Sequence, residues 1–404
     1  PKDMMKTHSF VMYAARGSGK TAVRRWIEKD FDDEKFARIF LGTQELLRPL
    51  SEFSNWCQEE MRLSTTKCFE TVWSSSDFLD LILTQLVNKF VSGYGTVYRK
   101  RSWADFERMS LVQLATIACT YYEYEDTKPL EDLVFDMTKH LTDGIWGAKK
   151  TTVSKVKLQE LDPNSGLYVN TREYQEMLAA EGHPHVLPPP IKRKSLRLMV
   201  GLAETLRNPL KPIVSRAVSL TQLSSMLSRA YNQQNVVFLD GLDENVNFFN
   251  GEDIEEASLI NFMKATVDDQ MQSLILRGTL QAYFFFPKIP SFQVHDFPFR
   301  RDKIPVLEVD WTPRGIANFA QFMMEDMSDR AICGCEPLPT FGELVSLPNT
   351  SDVFNQITQP RVLAFFMDEL VKRLQEDPTA SGTKFVASEE QVRAAFAALP
   401  KVPF

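Results

Sequence analysis

The sequence predicts a three-layer α/β fold with a long helical insertion and a helical C-terminal region. Three observations predict it. Short apolar runs that read as buried strands alternate with segments of helical periodicity, the pattern of an α/β core. The strand-like runs lie towards both ends of the chain, at 9–14, 35–42, 235–240, 279–286 and 303–309, with residues 44–234 between the second and the third. A Gly/Ser turn at 15–19 joins the first strand directly to a helix at 20–30.

The elements follow in order. Helical spacing of apolar residues recurs at 51–63, 75–91, 104–119 and 130–141. From 142 to 190 the periodicity fades, and Asn164, Gly166, Gly182 and the run Pro188-Pro189-Pro190 mark loops or a linker. Helix-like patterning returns over 191–233, an acidic amphipathic helix is expected over 253–270, and helices at 313–328, 339–346, 360–375 and 388–398 close the chain. No internal repeat is visible.

Composition bounds the function. The 404 residues are 44% hydrophobic and 25% charged, enough for two or three domains with a sizeable core. A net charge of −7 excludes a wholly basic nucleic-acid coat protein and leaves room for a local basic patch. No apolar run approaches the roughly 18 residues of a membrane helix, so no membrane role is expected, and no secretory signal opens the chain. Five scattered cysteines, at 57, 68, 119, 333 and 335, suit a reduced cytoplasmic compartment better than a disulfide framework. The chain opens on Pro1 rather than Met, which leads us to expect further protein upstream.

The first strand runs into Ala14-Ala15-Arg16-Gly17-Ser18-Gly19-Lys20-Thr21 and a helix begins there. Strand, Gly-rich turn and helix N-terminus together form the context of a phosphate loop. Gly17 and Gly19 permit backbone N–H groups to turn inward without a Cβ clash. With Arg16 and Ser18 they would cradle phosphate oxygens at the positive helix end. Lys20 would reach the β- and γ-phosphates and Thr21 would ligate Mg²⁺. The loop departs from G-x-x-x-x-G-K-[ST] at its first position, where Ala14 replaces Gly without removing a ligand. A Gly-Lys-Thr turn alone recurs by chance; the flanking strand and helix give it weight.

The strand 235–239 ends in Asp240-Gly241-Leu242-Asp243-Glu244. Asp240, the first acid after the apolar run, fits a carboxylate of the Mg²⁺ shell. Glu244 is the first choice and Asp243 the second for polarising an attacking water. Read alone, this is a turn with solvated carboxylates.

The loop ARGSGKT and the strand end VVFLDGLDE together resemble the STAND class of P-loop NTPases, including its NACHT and KAP-like groups, whose cores are related to AAA+ proteins. Residues 305–314 resemble the strand and turn that lead into the helical lid of these ATPases, and Pro360-Arg361 resembles a lid helix start whose Arg senses nucleotide. The resemblance covers roughly 1–43 and 235–375 and leaves 44–234 outside it. It implies a three-layer P-loop NTPase core with a large α-helical insertion and a C-terminal helical lid. The corresponding division is core at 1–43 and 235–312, insertion at 44–234 and lid at 313–404. It implies ATP and Mg²⁺ as cofactors, with Lys20 and Arg361 on the nucleotide, and a preference for ATP because no N-K-x-D motif is evident. Where many related ATPases carry a polar sensor after a core strand, this chain has Phe286-Pro287-Lys288. A core strand followed by a solvated Lys288 is the favoured reading.

Charge is unevenly spread. Residues 191–216 hold seven Lys and Arg against Glu204, and 240–270 hold nine acids against Lys264. Three readings stand open: a nucleic-acid contact, a meeting of the two blocks across a subunit interface, or solvated faces. Arg300 and Arg301, and more weakly Arg314 and Arg330, are candidates for an arginine finger in trans, with ordinary surface residues the favoured alternative. Cys333-Gly334-Cys335 and His183-Pro184-His185 make poor metal sites.

The function expected is an ATP hydrolase acting as a nucleotide-gated switch or homo-oligomeric assembly subunit that controls an effector protein. Many proteins of the resembled class serve bacterial antiviral defence. The alternatives are a DNA-acting ATPase using 191–216 and a scaffold in which the nucleotide is structural.

Overall fold

The computed structural model describes residues 8–32, 35–93, 220–221, 224–225, 233–251, 253–330, 339–376 and 386–399. The helices expected at 104–119 and 130–141, the loop region 142–190 and nearly all of 191–233 lie outside them. So does the basic block at 191–216.

The fold is α/β with a parallel central sheet flanked by helices, a three-layer architecture consistent with a P-loop NTPase-like fold. Strands β1 (Phe10–Ala14), β2 (Phe36–Leu41), β3 (Gln234–Leu239), β6 (Gln281–Pro287) and β7 (Val306–Val309) form one sheet in the order β2-β3-β6-β1-β7. Two strands of two residues each, β4 (Phe249–Asn250) and β5 (Asp253–Ile254), form a separate antiparallel ribbon.

Burial tracks strand position. Every residue of β1 and β6 is buried, as central parallel strands covered on both faces require. Alternate residues of β2 are buried, and β7 has none fully buried, in keeping with their places at the two edges. Register is set by parallel pairing of Phe36–Leu41 with Gln234–Leu239, and of Val236–Leu239 with Gln281–Phe284. On one face Phe238 and Tyr283 occupy the same register and stack at 5.1 Å, and Phe10 meets Tyr283 edge-on at 5.1 Å. Phe31 closes this row against Phe36, Phe238 and Tyr283. Such contacts contribute about 0.5–1.5 kcal/mol each beyond area burial.

The described residues divide into two compact units. The first comprises Pro1–Val11 and Arg24–Val306. It holds most of the sheet and helices α2 (Thr43–Met61), α3 (Thr65–Thr71), α4 (Ser75–Gly93), α5 (Glu256–Thr266) and α6 (Asp269–Leu276). These helices share an aromatic core of Phe53, Phe69, Trp73, Phe248 and Phe262, with Trp73 stacked on Phe262 at 4.9 Å. The helix expected from Ser51 in fact starts at Thr43 and carries Pro49 within its span. A proline early in a helix removes one hydrogen bond without ending the helix. The single helix expected over 253–270 is two, because Asp268 caps α6 by accepting from the Met271 amide at 3.0 Å.

The second unit comprises Met12–Val23 and Leu307–Phe404. Its C-terminal helices α7 (Pro313–Arg330), α8 (Phe341–Leu344), α9 (Leu347–Phe354), α10 (Pro360–Glu376) and α11 (Glu389–Ala397) are consistent with a helical lid. They bury Ile316, Phe341, Phe354, Leu363, Phe366 and Leu370 against one another. Capping boxes at Thr340/Glu343 and Ser388/Gln391 start α8 and α11. Helix α8 answers to the helix expected at 339–346; Ser346, at a φ of 48°, separates it from α9, which the sequence reading does not anticipate. Helix α1 (Lys20–Glu28) begins in this unit and ends in the other.

Candidate functional site

The turn after β1 is built so that most of its carbonyls are engaged and most of its amides are left over. Lys20 is buried, and its Nζ donates to the carbonyls of Ala14 at 3.1 Å and Ala15 at 3.2 Å. Ser18 donates to the Ala15 carbonyl from both its amide and its Oγ. Gly17 and Gly19 take φ of 80° and 94°, the left-handed region that a side chain would strain. Among the described residues the amides of Arg16, Gly17 and Gly19 donate to nothing, and Arg16 Nε is buried without a hydrogen-bond partner. A ring of unpaired N–H groups at a helix N-terminus, with an ammonium beneath it, suits an anion with several oxygens.

The same loop is held from the C-terminal helices of its own unit. The Trp311 indole N–H donates to the Ser18 carbonyl at 3.0 Å, and the Arg361 amide donates to the Gly17 carbonyl at 3.3 Å. A Cβ on Gly17 would come within 2.8 Å of Gln359 Oε1 and 3.0 Å of Arg361 Cβ. Gly17 therefore serves the backbone angle and the close approach of α10 at once. Arg361 itself is exposed at the start of that helix.

In the other unit, the acidic strand end is held as firmly. Asp240 is buried; its Oδ2 accepts from Arg24 Nε at 3.1 Å and its Oδ1 from the Gly241 amide at 2.9 Å. Arg24 is buried too, lies over the Phe40 ring at 4.2 Å, and donates from Nη1 to Glu28 at 2.5 Å. Gly241 has a φ of 77°, and its carbonyl accepts from Thr43 Oγ1 at 3.0 Å. Leu242–Glu244 then forms one turn of 3₁₀ helix in which Asp243 is buried and Glu244 exposed. Strand β3, which carries Asp240, is not the neighbour of β1 in the sheet, because β6 stands between them.

The remaining sequence candidates are dispersed. Lys288 follows β6 and is half-buried. Arg300 is exposed and tied to Asp302 at 2.6 Å, which holds its own pKa up and that of Asp302 down, the shared hydrogen bond being the main cause. Arg301 and Arg314 are exposed, and Arg330 ends α7. His183, His185, Cys333 and Cys335 lie outside the described residues, among which no group of three or more His, Cys, Asp or Glu could hold a metal. No helix of the described residues is long and apolar enough to cross a membrane.

Two participants escaped the sequence reading. Trp311 sits in the turn after β7, and nothing local in the sequence marks its reach to Ser18, 293 positions away. Arg24 carried one signal. It lies one turn beyond Lys20 and Thr21, on the same face of the helix that the loop opens.

Comparison with known proteins adds no family: no family model matches the chain, and no curated protein matches it.

Proposed function

We propose that this chain is a Mg²⁺-dependent ATPase of the P-loop kind, resembling the STAND and KAP-like groups, that works as a nucleotide-gated switch or assembly subunit controlling an effector protein. The observation that carries the reading is the loop at 15–19, whose carbonyls are mostly engaged while the amides of Arg16, Gly17 and Gly19 stay available. Support also comes from the architecture, because ligands of open parallel sheets sit outside the carboxyl ends of the strands. The loop follows the carboxyl end of β1. In this reading 1–43 and 235–312 form the nucleotide-binding core, 44–234 the insertion that offers a partner surface, and 313–404 the lid.

The residues fit the group they would hold. Amides and an ammonium suit phosphate oxygens, and the Thr21 hydroxyl with the Asp240 carboxylate are the hard oxygen donors that magnesium prefers. Magnesium, when bound, supplies positive charge to the β- and γ-phosphate oxygens. Lys20 and the loop amides bind and orient the phosphates. Glu244, with Asp243 as the alternative, would accept a hydrogen bond from the attacking water and orient it. Glu244 suits this better because it is exposed while Asp243 is buried. Arg361, at the start of α10, couples the lid to the state of the phosphate.

The test is ATP hydrolysis together with particle mass, with and without ATP, for the parent and for Lys20→Ala. Turnover and ATP-dependent assembly in the parent, both lost in the variant, are the expected result. A fixed particle with no turnover in either protein sinks the switch and leaves a scaffold.

A further inference from the structure

We propose that Arg24 is the positioning residue that sets the Asp240 carboxylate for a magnesium–nucleotide complex. The inference rests on the nucleotide reading above and extends it to a residue outside the loop and strand-end motifs.

Three observations carry it. First, the Asp240 carboxylate has one fixed donor on each oxygen, the Gly241 amide on Oδ1 and Arg24 Nε on Oδ2. Two donors on two oxygens fix the plane of the carboxylate and leave further lone pairs on both atoms. Second, the guanidinium is itself anchored on three sides. Asp240 and Glu28 take its Nε and Nη1, and the Phe40 ring lies 4.2 Å from its Cζ. A flexible cation could not orient a carboxylate; a planar fork held by a second acid and an aromatic face can. Third, Arg24 stands on α1 one helical turn beyond Thr21, on the face that Lys20 and Thr21 share. The helix that presents the phosphate-binding lysine and the hydroxyl ligand thus also carries the group that holds the carboxylate.

The pair has a second consequence. Arg24 and Asp240 are both buried, so their charges balance when no metal is bound. The Asp240 carboxylate would thus be already oriented and desolvated for a divalent cation, with Glu28 at hand to keep the guanidinium balanced.

The experiment measures affinity for a non-hydrolysable ATP analogue by calorimetry, with magnesium and with a chelator, and melting temperature alongside. The quantity of interest is the gain in affinity that magnesium confers. Arg24→Lys keeps the charge and loses the fork. We expect it to cut the magnesium gain about tenfold or more, as loss of a ligand-orienting partner does, while metal-free affinity stays within about twofold. The exposed neighbour Arg25→Lys should match the parent. A full magnesium gain in Arg24→Lys, or an equal fall with and without metal, overturns the inference and reduces Arg24 to a structural ion pair. If Arg24→Lys fails to fold, Glu28→Gln carries the test. It leaves Arg24 and Asp240 in place, removes the charge that anchors Nη1, and should lower the magnesium gain about threefold; an unchanged gain overturns the inference. A parent that binds no analogue under either condition overturns the nucleotide reading itself, and this inference falls with it.

Discussion

The indole of Trp311 donates its N–H to the backbone carbonyl of Ser18 at 3.0 Å, and its ring packs on Phe319 among the C-terminal helices. One side chain therefore ties the loop to the helical core beside it. Trp311→Phe keeps most of the ring and removes the single donor. A neutral hydrogen bond is worth about 1 kcal/mol, so we expect about fivefold weaker ATP binding and a small fall in melting temperature. An unchanged affinity would show that the loop holds its shape without the tether.

Gly241 joins a backbone angle to a close approach. Its φ is 77°, and a Cβ there would come within 2.4 Å of Thr43 Oγ1. Gly241→Ala should cost roughly 2–4 kcal/mol, from left-handed strain and the collision together. Urea denaturation measures it. Adding Thr43→Ala should recover the collision part and leave the strain, so the double variant should be more stable than Gly241→Ala alone.

Helix α4 buries two acids three residues apart, Asp77 and Asp80. Asp77 caps its helix by accepting from the amide and hydroxyl of Ser74. Burial, and then the nearby Asp77 charge, hold the Asp80 carboxyl well above the usual carboxylate range. The sign follows. Between the ordinary and the raised value the folded chain binds more protons than the unfolded one, so stability falls as pH rises through that window. Asp80→Asn should therefore stabilise the protein at about pH 8, and the gain should shrink towards about pH 4, where the unfolded carboxyl is protonated too. Denaturation midpoints at both pH values decide it; a pH-independent difference would rule out the ionisation account.

Cys57 on α2 and Cys68 on α3 are both fully buried, and burial pushes both thiols up. The Cys68 thiol also donates to the Ser64 carbonyl at 3.0 Å. Since the thiolate is the nucleophile, iodoacetamide should leave both unmodified in the folded protein at neutral pH and modify both in urea. Peptide mapping reads the two sites directly, and rapid native alkylation of either would contradict the packing.

Much of the sheet was legible because a central strand writes its burial into consecutive residues. The runs at 10–14, 234–239 and 281–287 are apolar on both faces, and no helix period competes with them. The strand–turn–helix at 10–28 was legible for a related reason: glycine spacing, lysine and helix start are contiguous. Helix boundaries read less well where the deciding event is one side chain on one amide, as at Asp268, or where a proline is tolerated, as at Pro49. The partners of the site were the least legible. Arg24 and Asp240 are 216 positions apart, and Trp311 and Ser18 are 293 apart. Residues so far apart in sequence come within hydrogen-bond reach only in the folded chain.

The strand order also bears on how the chain is made. Among the described strands β1 is synthesised before the others, yet its neighbours are β6 and β7. Ser9 accepts from the amide of Ala282, 273 positions later, and Val11 donates to Pro305. At ribosomal rates of roughly 5–20 residues per second, those partners emerge roughly 15–55 seconds after β1 does. For that interval the apolar strand that leads into the turn at 15–19 has no sheet to join. A nascent chain stalled before residue 280 would expose it, which makes β1 the natural landing place for a chaperone during synthesis.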